Sequence, residues 1–152
     1  MINDQKSHAT LVGLIAIYKE YIGLYEALTR DITTHRVALQ SILEDVVAQA
    51  RMFKQGLIEA LSGYGALADT HPGFGKLAFY DTWRTRIMAI RDVPTTTQLI
   101  RIEEALKEAY EGVLDHQLLD GPIYEMLLSQ YRELDYNVAK LRLVIRNTSN
   151  DS

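Results

Sequence analysis

Residues 11–28 read Leu11-Val-Gly-Leu14-Ile-Ala-Ile-Tyr18-Lys-Glu20-Tyr21-Ile-Gly-Leu-Tyr25-Glu-Ala-Leu28. Leu11, Leu14, Tyr18, Tyr21, Tyr25 and Leu28 recur at alternating steps of three and four, the period that lines side chains along one face of an α-helix. A strand would alternate at every second residue. The stretch therefore predicts a first long helix from about Ser7 to Arg30. Asp31-Ile32-Thr33-Thr34 then brings cap-type and β-branched side chains. Beyond it Leu39, Leu43, Val46, Ala50, Phe53 and Leu57 resume the spacing, predicting a second long helix that closes near Gly63.

Working outward, glycines 63, 65, 73 and 75 mark a loop, and Lys76 to Arg91 reads as a shorter helix holding the single tryptophan, Trp83. Pro94 ends it, and Thr95, Thr96 and Thr97 can cap a third long helix with Leu99, Ile102, Leu106, Ala109 and Val113 on its apolar face. Pro122 suits the first turn of a fourth, whose stripe is Leu127, Leu134, Leu141 and Ile145, with a frayed polar tail from Asn147 to Ser152. The predicted class is all-α. Four long helices with one connection of roughly 35 residues between the second and third predict a ferritin-like four-helix bundle, in which a long crossover carries the short extra helix.

The chain has 152 residues, 47% of them apolar and 24% charged. That predicts a single helical domain over residues 1–152, with its core at about 8–147. Sixteen basic against twenty acidic residues leave a net charge of −4, the wrong sign for binding nucleic acid or anionic lipid. Cysteine is absent, which excludes a disulfide framework, a thiolate metal site and a cysteine nucleophile. The apolar run Leu11 to Ile17 stops at Lys19-Glu20, too short for a membrane span, and the polar start lacks the basic residues of a signal peptide. The expectation is a cytoplasmic protein. Ile15, Ile17 and Ile22 fall outside the Leu/Tyr seam of the first helix, and this extra apolar breadth predicts a homo-oligomer.

Five segments, in order, resemble a bacterial ferritin-like four-helix-bundle family known as domain of unknown function 2383. They are Glu20-Tyr-Ile-Gly23-Leu-Tyr-Glu26-Ala27, Arg51-Met-Phe53-Lys-Gln-Gly-Leu57, Gly73-Phe-Gly75 followed by Trp83, Glu103-Glu104 followed by Ala109-Tyr110-Glu111, and Gln130 and Glu133 followed by Arg142 and Arg146. The resemblance spans nearly the whole chain and implies the ferritin-like fold. Ile100 stands where that family often has a further glutamate, and Asn137 or Val138 where it has a fourth-helix histidine. The family's metal constellation would thus be degenerate, and the function expected is protein contact or self-association. The alternative is a carboxylate-bridged iron or manganese protein in metal or oxidative stress.

A ferritin-type di-iron centre takes a Glu-x-x-His pair from each of two helices, because a three-residue step puts both ligands on one face. His8, His35, His71 and His116 follow Gln5, Ile32, Ala68 and Val113 at that step, so none completes the pair. Two glutamates remain as metal candidates. Glu20 sits between Ile17 and Leu24, and Glu103 between Leu99 and Leu106, each at steps of three and four. The expectation is that both lie at the edge of an apolar face and reach water or a basic side chain.

Gln130 and Asn137 share the Leu127, Leu134, Leu141 seam, as interior amides that fix register. The nine tyrosines against three phenylalanines suit bundle edges, where an amphipathic ring meets water. No catalytic residue is expected. Asp31 and His35 flank a turn, Asp69-Thr70-His71 has no nucleophile elbow, and neither Gly63-Tyr-Gly65 nor Gly73-Phe-Gly75 continues into a phosphate-binding loop.

Overall fold

The computed structural model describes residues 2–31, 37–63, 78–90, 95–116 and 119–150. These residues form α1 (Ile2–Asp31), α2 (Val37–Ser62), α3 (Ala78–Met88), α4 (Thr95–His116) and α5 (Gly121–Asn150), with no strand among them. The all-α class follows from the helical spacing of the apolar residues. His35, Asp69, His71, Gly65, Gly73, Gly75 and Pro94 lie outside the described residues.

α1 packs on α2 and α4, and α5 packs on the same two helices, so the long helices close a ring in the order α1, α2, α5, α4. Side-chain pairs give the directions. Tyr18 of α1 meets Tyr110 of α4, whereas Tyr25 meets Glu103, so these helices run antiparallel. Glu111 with Tyr131, Lys107 with Asp135 and Glu104 with Arg142 show the same for α4 and α5. On α2 and α5, Asn137 bonds Gln49 while Gly56 faces Gln130, again antiparallel. α3 lies along α4 in the opposite sense, with Phe79 against Gly112 and Arg86 paired with Glu108. A Cβ on Gly112 would sit 3.6 Å from the Phe79 Cβ, so the missing side chain lets α3 ride close to α4.

α1 has three helical neighbours, α2, α4 and α3, which corrects the narrow seam expected for it. Ile15 and Ile17 are buried within the chain, and Ile22 is half-buried against the core. The apolar breadth of α1 therefore serves its own bundle and gives no ground for an oligomer. The helix also starts at Ile2 rather than Ser7. Ser7, His8 and Thr10 are buried, and the backbone N–H of Asp120 donates to Ser7 Oγ at 3.1 Å. Ser7 is thus tied to the start of α5. α5 continues through Asn147 to Asn150, where a frayed tail was expected, and α3 ends at Met88, short of the expected Arg91, with a turn at 89–90. Among the described residues, no helix is long and apolar enough to cross a membrane.

Gly23 lies exposed inside α1, and nothing stands within 4 Å of where its Cβ would be. Glycine in a helix interior costs about 1 kcal/mol relative to alanine. Gly23→Ala should therefore raise the urea midpoint by an amount equivalent to about 0.5–1 kcal/mol at unchanged slope. A lowered midpoint would show that the groove between α1 and α3 is closed at this point.

Candidate functional site

The α1–α4 contact is built from Tyr18, Tyr21 and Tyr25 on one side and Leu99, Glu103 and Tyr110 on the other. Both sets follow the helical spacing, so each presents one ridge to the other. Glu103 is only 1% exposed. The hydroxyls of Tyr21 and Tyr25 both donate to its Oε2, Tyr25 at 2.7 Å, and Tyr25 also lies 3.5 Å from the Leu99 carbonyl oxygen. Oε1 is buried without a hydrogen-bond partner. Burial lifts the carboxyl from its ordinary value near 4.5 to about 7, with the two phenol donors acting in the opposite direction. Burial, and then the nearby carboxylate, push the hydroxyls of Tyr21 and Tyr25 well above the usual phenol value.

A second chain of hydrogen bonds runs beside the first. The Tyr110 hydroxyl donates to Gln130 Oε1 at 2.6 Å. With its proton committed to that amide, it accepts the hydroxyl of Tyr18 at 2.7 Å. Both phenols are fully buried, and burial raises both pKa values. At the α3 edge the fully buried Trp83 donates its indole N–H to Glu20 Oε2 at 2.7 Å, and Tyr80 donates to Oε1 at 3.3 Å. The rings join these groups: Tyr21 lies 4.7 Å from Tyr25, 5.9 Å from Tyr18 and 6.4 Å from Trp83, centroid to centroid.

The two glutamates singled out in the sequence thus have different fates. Glu20 is exposed at the edge, as expected, with an indole and a phenol as its protein partners in place of a basic side chain. Glu103 lies in the core, correcting its expected edge position, because two tyrosine hydroxyls from α1 supply the donors that a buried carboxylate needs. Tyr18, Tyr21 and Tyr25 are likewise interior rather than at the bundle edge, since each hydroxyl finds a protein acceptor or donor there. The amides on α5 tie it to two different helices, Gln130 to α4 through Tyr110 and Asn137 to α2 through Gln49.

The donor set does not suit an iron or manganese site. Among the described residues, no three His, Asp or Glu side chains converge where they could hold a metal ion. O–H and N–H groups donate to Oε2 of Glu103 and to both oxygens of Glu20, which leaves Glu103 Oε1 as the one oxygen of the pair without a donor, fewer than a hard cation takes. The tyrosine cluster escaped the sequence reading because spacing places Tyr21, Tyr25 and Glu103 on the buried faces of their helices without saying which helices pair.

Two outcomes follow. A carboxyl with a raised folded pKa stabilises the fold fully below its unfolded pKa and loses that contribution as pH rises through the folded one. Wild-type stability should therefore fall relative to Glu103→Gln between about pH 4.5 and about pH 7. The gap should grow in favour of the amide by something on the order of 3 kcal/mol, as measured by urea titration of both proteins across that window; a constant gap would place Glu103 in water. Tyr110→Phe should cost about 1–3 kcal/mol by urea titration, because it strips the Gln130 oxygen of its donor and Tyr18 of its acceptor.

No protein-family model matches the chain, and no curated protein and no solved structure matches it.

Proposed function

We propose that the chain is a ferritin-like bundle of the bacterial cytoplasm that acts through protein contacts, its own self-association first among them, rather than through a resident metal. The ring order α1, α2, α5, α4 with antiparallel neighbours supports this topology. With α2 and α4 both antiparallel to α1, their ends at Ser62 and Thr95 lie at opposite ends of the bundle, which supports a crossover between them, and α3 packs on α4 and α1.

The observation that carries the functional reading is the environment of Glu103. The carboxylate between α1 and α4, where a ferritin-like protein would gather metal ligands, is held by two phenols. Iron or manganese bridged by carboxylates would supply redox chemistry, and the residues present do not fit it. The outer faces offer contacts instead: Met52 is 71% exposed, Met88 65%, and Tyr136 and Leu143 lie seven residues apart on one face of α5 at 63% and 56%.

The test combines elemental analysis of untagged protein with sedimentation equilibrium at micromolar concentration. The expected result is no stoichiometric iron or manganese, together with a dimer or larger species that Tyr136→Ser/Leu143→Ser shifts towards monomer. Stoichiometric metal lost in both Glu20→Gln and Glu103→Gln would overturn the reading in favour of the metal protein. A strictly monomeric mass would overturn self-association.

A further inference from the structure

Three features of the core are left over from a purely structural role. The first is a continuous path of aromatic rings. Trp83 donates to the exposed Glu20, its ring lies 6.4 Å from Tyr21, and Tyr21 lies 4.7 Å from Tyr25. The second is chemical asymmetry between two otherwise similar phenol pairs. Tyr21 and Tyr25 donate to a carboxylate, which can take up a proton, whereas Tyr110 donates to the Gln130 amide oxygen, which is a far weaker base. The third is that Glu103 keeps one oxygen buried and without a hydrogen-bond partner, so the carboxylate is under-solvated and readier to accept a proton than one at the surface.

A phenol gives up an electron readily only when its proton leaves at the same time, because the oxidised phenol cation is a strong acid. A base already hydrogen-bonded to the hydroxyl removes that obstacle. From this geometry we propose that Tyr21 and Tyr25, with Glu103 as their proton acceptor, form a proton-coupled one-electron redox site that Trp83 connects to the protein surface. The substrate class is a soluble one-electron oxidant. The oxidant at the α3 edge takes an electron by way of Trp83 from Tyr21 or Tyr25. The phenol O–H bond breaks, its proton forms a new O–H bond at Glu103 Oε2, and a neutral tyrosyl radical remains in the buried core. A small-molecule reductant of thiol or ascorbate type resets the site by returning one electron, and the proton goes back from Glu103 to the phenolate oxygen. Atoms and charge balance in both directions, and no metal takes part. Tyr18 and Tyr110 lie 5.9 Å and further along the ring path but have no carboxylate to receive their protons, so they remain reduced.

Laser flash-quench with a ruthenium(III) polypyridyl oxidant tests this in the intact chain, read by transient absorption and by electron paramagnetic resonance. The background is Tyr80→Phe/Tyr124→Phe/Tyr131→Phe/Tyr136→Phe, which removes two exposed phenols and the two others that donate to carboxylates, those of Glu20 and Glu111. Circular dichroism and urea titration show that each variant is folded. The expected result is a tyrosyl radical that is lost in Tyr21→Phe/Tyr25→Phe and kept in Tyr18→Phe/Tyr110→Phe. Its formation should slow by about a hundredfold in Glu103→Gln, the scale of losing a positioned base. Trp83→Phe should slow formation while leaving the spectrum of the radical unchanged. A radical that persists in Tyr21→Phe/Tyr25→Phe, or that forms equally fast in Glu103→Gln, would overturn the site. An unchanged rate in Trp83→Phe would overturn the connection to the surface.

Discussion

A carboxylate inside a helical bundle must be neutralised or hydrogen-bonded, and the packing of α1 on α4 is arranged around meeting that need at Glu103. Its neighbours along α4 are Leu99, Ile102, Ala105 and Leu106, all buried, so water cannot serve it from its own helix. The donors come from across the interface, as the hydroxyls of Tyr21 and Tyr25. This ties register to chemistry. Sliding α1 by one turn against α4 would part Tyr18 from Tyr110 and, in one direction, put Leu28 where a phenol now donates to the acid, at the cost of buried hydrogen bonds.

The same constraint explains why the core uses tyrosine where phenylalanine would pack as well. Four phenols, Tyr18, Tyr21, Tyr25 and Tyr110, are essentially fully buried, and each hydroxyl bonds to another member of one polar layer. That layer links α1 to α4 through Glu103 and then α4 to α5 through Gln130. Asn137 and Gln49 tie α5 to α2 at another level. Directional bonds of this kind select one alignment of helices whose apolar faces could otherwise pack in several. Beside this layer, the buried Trp83 does the equivalent for α3: its ring packs 6.4 Å from that of Tyr21 while its N–H is held by Glu20.

A site of phenols and a single acid has different capabilities from a cluster of carboxylates. It offers a hard cation few free oxygens, and it offers an electron-deficient partner both an electron and a place for the accompanying proton. The proposed contacts of the outer faces and the proposed electron transfer through the core would use different surfaces and would not compete. Arg86 and Glu108, Arg142 and Glu104, and Arg51 and Glu26 pair across helices in exposed positions, where each contributes little to stability and leaves the core network as the element that specifies the arrangement.

Much of the fold was legible in residue spacing. Steps of three and four from Leu11 to Leu28 and from Leu39 to Leu57 identify helices before any contact is known, because an apolar stripe at that period can be buried only as a helix. The split between Glu20 and Glu103 was not legible. Both sit between apolar residues at helical spacing, yet one faces the edge beside α3 and the other faces α1. Nor could spacing show that Ile15 and Ile17 are covered within the chain, since that depends on α1 having three neighbours. Sequence by itself determined which residues are helical and which faces are apolar, through local periodicity. Only the tertiary structure decided which faces meet, and with them that Glu103 lies under two tyrosine hydroxyls, because hydrogen bonds between residues 78 and 82 positions apart in sequence depend on how the helices assemble.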